Sequence, residues 1–125
     1  MTRVFRDALN GKGSQMLDIK SITTEIISAL QPLEPEKVIL FGSYAYGTPT
    51  EESDIDILII KDSEKKKVRE LRLEARKMLR SIIAKNHVGI DIVLDSSERI
   101  TDRIKLIKDQ FYEEVMTKGK VIYGK

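Results

Sequence analysis

The stretch Asp54-Ile-Asp-Ile-Leu-Ile-Ile60 narrows most sharply what this chain can become. Five of its seven residues are isoleucine or leucine, a short apolar run that predicts a buried strand. Side chains two apart on a strand point to the same face, so Asp54 and Asp56 emerge together, about 6–7 Å apart along the backbone. Burying an unpaired charge is very costly, so these acids demand a partner or a route to the surface.

A third acid poses the same problem. Asp91 sits inside Gly89-Ile-Asp-Ile-Val-Leu94, a second apolar strand. One aspartate at a strand start is ordinarily a turn or cap residue, but an Asp-x-Asp pair plus a third strand aspartate is harder to explain that way. Neither strand contains Lys or Arg to serve as a built-in counter-charge. A hard divalent cation with oxygen ligands fits better than salt bridges, and magnesium typically takes one or two carboxylates together with substrate phosphates.

The rest of the chain reads as one small domain around these strands. At 125 residues it needs no disulfide staples, and with no cysteine it has no thiolate metal site, thiol nucleophile or disulfide framework. The apolar runs are far too short to span a membrane, so a soluble, cytoplasmic protein is expected. Residues 1–15 show no sustained period and read as an N-terminal arm or leader, with a single domain over 16–125. From Met16, apolar residues at Ile19, Ile22, Ile26, Ile27 and Leu30 mark a helix that the prolines of Gln31-Pro-Leu-Glu-Pro35 end. Lys37–Phe41 reads as a strand, Glu64 to Lys85 as a long helix, and Gly89–Leu94 as the third strand. Ser96 or Ser97 caps another helix, Phe111 to Lys118 forms the last one, and Val121–Tyr123 adds a small strand. This order predicts an α/β (α+β) domain, a small mixed β-sheet covered on one side by helices.

Between the first two strands lies Gly42-Ser43, where the chain leaves an apolar strand, turns and starts a short helix. Backbone N–H groups at such a turn favour anions, and a glycine admits phosphate close to the backbone. A Gly-Ser pair alone carries little information. Gly42-Ser43, ten residues, Asp54-x-Asp56 and a later strand acid together resemble the signature of the DNA polymerase β-like nucleotidyltransferase superfamily. The closest resemblance is to its minimal nucleotidyltransferases, many of which are the antitoxin halves of HEPN/MNT toxin–antitoxin pairs. The motif covers Lys37 to Leu94, and the element order extends the likeness over Met16 to Tyr123.

The resemblance implies that Asp54, Asp56 and Asp91 are catalytic and hold two magnesium ions, while Gly42 and Ser43 grip the β- and γ-phosphates of ATP. AMP would pass to a hydroxyl of a partner protein, a HEPN-type toxin, and pyrophosphate would leave. Asp91 could also take the acceptor's proton. The alternatives are a non-catalytic antitoxin that neutralises its partner by binding, or transfer to a small molecule or an RNA end. The chain is too short for a second substrate-binding domain, so a partner chain or a homo- or hetero-oligomer supplies the acceptor wall. One departure stands out: Tyr46 occupies the position where many relatives carry arginine.

Other features attract less weight. His87 reads as a turn residue before the third strand. For Tyr44 and Tyr46, packing and nucleotide contact are equally open. Lys61 to Lys85 holds ten basic and four acidic residues, and Arg69, Arg72, Arg76 and Arg80 recur at helical steps. They read first as a solvated face and second as a surface for an acidic partner or RNA. Leu73 among them hints at a protein contact, and the lack of interleaved aromatics makes nucleic acid the weaker expectation.

Overall fold

The computed structural model describes residues 18–124. The expected arm over residues 1–15 and the helix start at Met16 lie outside this range.

Helix α1 (Ile19–Leu30) begins at Asp18, whose carboxylate accepts a hydrogen bond from the Ser21 amide and so satisfies a free N–H of the first turn. Ile22, Ile26 and Leu30 fall on one stripe and are buried. A 3₁₀ turn, Gln31–Leu33, then leads into β1 (Lys37–Phe41). Strand β1 runs into α2 (Ser43–Tyr46), and a loop returns the chain as β2 (Ile55–Ile60). Another 3₁₀ turn, Lys65–Lys67, opens α3 (Val68–Asn86), which buries Ala75, Leu79 and Ile82. Strand β3 (Ile90–Asp95), α4 (Ser97–Ile107), α5 (Gln110–Lys118) and β4 (Lys120–Tyr123) complete the domain. Ser96 is the residue that caps α4, accepting from the Arg99 amide at 3.1 Å. Strand β2 starts one residue later than expected and ends as expected, and β3 is shifted one residue later at both ends.

The sheet order is β3-β2-β1-β4. Strand β1 is antiparallel to β2 and β4, whereas β2 and β3 run parallel with α3 as their crossover. The sheet is therefore mixed, as expected. Covering by helices on one side only is not what the structure shows. Val38, Leu40, Ile55, Ile57, Ile59, Ile90, Ile92 and Leu94 face α1 and α3 and form the main core. Their alternates Ile39, Leu58 and Ile60 are also buried, beneath Ile100, Tyr112 and Val115 of α4 and α5. Both faces are covered. The physical reason is in the strands: Val38-Ile-Leu and Leu58-Ile-Ile are apolar at consecutive positions, which only burial of both faces rewards. Among the described residues, no helix is long and apolar enough to cross a membrane.

Candidate active site

Strand alternation and ladder register together decide where the three aspartates go. The isoleucines of β2 and β3 at positions 55, 57, 90 and 92 point into the main core, so Asp56 and Asp91 point to the opposite face. On that face Phe41, Asp56 and Asp91 lie side by side across three strands, since Phe41 pairs with Asp56 and Asp56 with Asp91. The next row is Ile39, Leu58 and Val93, which belongs to the second core. Helices α4 and α5 cover this apolar row and leave the acidic row open. Asp54 immediately precedes β2 and lies over Gly89, where a Cβ would come within 2.6 Å of its Oδ1.

The structure thus brings Asp54, Asp56 and Asp91 to one end of the sheet. Among the described residues, no Lys or Arg lies within ion-pairing distance of any of them. The Asp56 carboxyl is pushed up to about 6, first by burial, then by the hydrogen bond and charge of Asp91, and finally by the charge of Asp54.

Gly42 accounts for the other half of the site. Its backbone, at φ 76° and ψ −161°, lies in a region essentially open only to glycine. A Cβ there would stand 2.1 Å from Oδ2 of Asp56. The glycine therefore serves the turn and the aspartate at once. Ser43 starts α2 as expected, and the amides of Ala45 and Tyr46 both donate to the Gly42 carbonyl.

Whether these residues suit a divalent cation can be judged from their donors. They offer carboxylate oxygens only, with no ammonium or guanidinium within ion-pairing distance among the described residues. Among the described residues, no three or more His, Cys, Asp or Glu side chains come together in a group that could hold a metal ion by themselves. Magnesium does not require one, because it keeps waters and takes phosphate oxygens in addition to one or two carboxylates. The donor set fits a hard cation that arrives with its substrate.

The tyrosines separate. Tyr44 packs against the main core, while Tyr46 lines a groove of about 150 Å³ with Phe41, Gly42, Phe111 and Glu114. Phe111 meets Phe41 edge-on with ring centres 5.5 Å apart. This aromatic edge beside Gly42 was not legible from spacing, because Phe111 is 70 residues away from Phe41 in the chain. His87 caps α3 in a left-handed conformation, consistent with a turn residue.

A second polar cluster was also missed. Asp95 lies on the same face as Asp91 but at the far end of β3, where it accepts from Tyr112 Oη at 3.0 Å and from Arg99 Nε. Arg99 also donates to the Ser63 carbonyl at 3.0 Å. The phenol of Tyr112 is pushed up to about 12, mainly by burial and then by its bond to Asp95. The spacing of Asp91 and Asp95, an even number along the strand, was the available signal.

The raised Asp56 carboxyl carries a pH consequence. A folded-state value above the ordinary 3.8 means that this group's stabilising contribution is complete below 3.8 and is lost as pH rises through about 6. In chelator, the melting temperature of Asp56→Asn minus that of the parent is therefore expected to grow across this window and level off above it. A difference that stays flat with pH would show that Asp56 is not crowded by its neighbours.

Residues 21–118 match the family described as nucleotidyltransferase domain. A Methanocaldococcus jannaschii protein, provisionally named a protein adenylyltransferase, is 38% identical over 88 residues, or 70% of this chain and 78% of its own length. Among solved structures, a toxin-antitoxin determined with AMP-PNP is 24% identical with a TM-score of 0.50, covering 82% of this chain and 73% of that one. A provisionally assigned nucleotidyltransferase from Sulfolobus solfataricus aligns over 92% of this chain and 94% of its own, with 23% identity and a TM-score of 0.47. The first of these likenesses, at that identity, bears on the fold alone. The family match over most of the chain and the 38%-identical relative go further: the chain belongs to the nucleotidyltransferase domain family.

Proposed function

We propose that this nucleotidyltransferase moves AMP from ATP onto a hydroxyl of a partner protein, a HEPN-type toxin, and thereby acts as its antitoxin. The observation that carries the chemistry is the open row of carboxylates, with no Lys or Arg in ion-pairing distance among the described residues and with Asp56 against the Gly42 backbone. The provisional protein adenylyltransferase name of the archaeal relative supports protein as the acceptor. The toxin-antitoxin solved with AMP-PNP supports the nucleotide and the kind of partner.

In this reading Asp54, Asp56 and Asp91 hold magnesium, which when bound supplies charge neutralisation at the α-phosphate and at the departing pyrophosphate. Gly42 and Ser43 orient the triphosphate tail, because the glycine leaves the backbone bare beside Asp56. The acceptor oxygen forms a bond to the α-phosphorus, the bond to the β-phosphate bridging oxygen breaks, and pyrophosphate leaves. Asp91, exposed at the edge of the row, takes the hydroxyl proton. Tyr46 supplies no cation where many relatives have arginine. Its ring instead extends the apolar groove beside the turn.

The test is transfer of label from α-labelled ATP to the protein encoded by the neighbouring gene, with and without magnesium. Label on the partner only with magnesium, and none with Asp56→Asn, is expected. Absence of label with the parent, or equal label with the variant, overturns the proposal.

A further inference from the structure

At the far end of β3 from the aspartate row lies a cleft of about 430 Å³ between the start of α3 and one side of α4, floored by Asp95. Asp91 and Asp95 are four residues apart on one strand, which sets the cleft roughly 13 Å from the site of transfer. One wall carries Lys65, Arg69 and Arg72, and the other Arg99, Asp102 and Arg103.

These cations are not equivalent. Arg99 is tied to Asp95 and Ser63, and Arg103 to Asp109 at 2.8 Å. Asp95 is in turn shared with Tyr112, so its charge is already satisfied inside the protein. Among the described residues, Lys65, Arg69 and Arg72 have no carboxylate within ion-pairing distance. Like charges held along one side of a helix repel one another, and among the described residues Asp102 is the one uncommitted carboxylate on the opposite wall.

The same two helices add a second kind of chemistry. Leu73, one turn beyond Arg69, is 46% exposed, and Leu106, one turn beyond Asp102 and Arg103, is 76% exposed. Among the described residues no aromatic side chain lines the cleft, which leaves no stacking surface of the kind that holds nucleic-acid bases. Arginine beside exposed aliphatic residues is the composition of a protein interface, where guanidinium groups grip carboxylates in pairs of hydrogen bonds.

From this arrangement we infer that the cleft between α3 and α4 is a docking site for an acidic amphipathic segment of a partner protein. The segment's carboxylates meet Arg69 and Arg72, and its apolar side covers Leu73 and Leu106. Asp102 is left to pair with a basic residue of the same segment. Docking here leaves the aspartate row open, so a partner can be held while the reaction site stays accessible.

A fluorescein-labelled synthetic helix of alternating Glu and Leu turns serves as the probe, with a single-stranded RNA oligonucleotide and inorganic triphosphate as competitors. Anisotropy is expected to show peptide binding that weakens as salt rises and weakens about tenfold or more in Arg69→Glu/Arg72→Glu. Leu106→Ser should weaken it by a smaller factor, whereas Lys20→Glu, remote in the chain and outside the cleft, should leave it unchanged. The charge-reversed protein should melt no lower than the parent, because among the described residues both arginines lack ion-pair partners. No binding of the peptide, equal binding by the double variant, or a preference for RNA or triphosphate with the same arginine dependence would overturn the inference. The assay contains neither ATP nor magnesium, and Asp56→Asn should bind the peptide as the parent does. Its failure is therefore distinct from a failure of the transfer reaction.

Discussion

Asp56→Asn is expected to abolish nucleotidyl transfer while leaving the metal-free protein at least as stable as the parent. The two effects have one cause. Asp56 sits between Phe41 and Asp91 on the open face, half-buried, with its carboxyl pushed up to about 6 by burial and by its acidic neighbours. At neutral pH that carboxylate is held against its own preference, and asparagine keeps the shape while removing the charge. In chelator the variant should melt at the parent's temperature or above. With magnesium and ATP the order should reverse, because only the parent gains a bound ligand that stabilises the folded state. The loss of transfer should exceed the roughly 100-fold that follows removal of a residue merely supporting a metal ligand. Transfer retained within a few-fold would show that the carboxylate row is not where the reaction happens.

Gly42→Ala is expected to damage both stability and activity. The backbone there lies at φ 76° and ψ −161°, which costs a residue bearing a Cβ roughly 1–3 kcal/mol. The added methyl would also stand 2.1 Å from Oδ2 of Asp56, so the carboxylate must move. A displacement of about 1 Å in a positioned catalytic group can cost on the order of 100-fold in rate. Urea denaturation measures the first effect and single-turnover transfer the second. Gly47→Ala provides the comparison: its φ of 84° is also left-handed, but a Cβ there meets nothing within 4 Å. Gly47→Ala should therefore lose stability and keep most of its rate. If both variants keep their rates, the contact between Gly42 and Asp56 has no catalytic importance.

The strands were legible as short apolar runs rich in isoleucine, valine and leucine. Asp54 and Asp56 stand out against isoleucine for the same reason that they share a face. The helices of the main core were legible from the three- and four-residue steps of Ile22, Ile26 and Leu30 and of Ala75, Leu79 and Ile82. The second covered face was written in Val38-Ile-Leu and Leu58-Ile-Ile, whose consecutive apolar residues require burial on both sides. Expecting cover on one side alone underused that pattern. Tyr44 could not be assigned in advance, since a tyrosine beside a motif packs or binds according to which way a four-residue helix turns.

The sequence by itself determined the residue types of the site, their strands and the faces they occupy, because period and composition are local properties of the chain. Only the tertiary structure decided that Asp56 and Asp91 pair across a parallel ladder, that Asp56 rests against Gly42, and that Asp54 lies over Gly89. Register is set by how α3 packs and returns the chain, a long-range outcome that no window of residues contains. The same holds for the cleft, where cations from α3 and α4 meet around Asp95. Their charges were countable along the sequence, but the meeting depends on the fold.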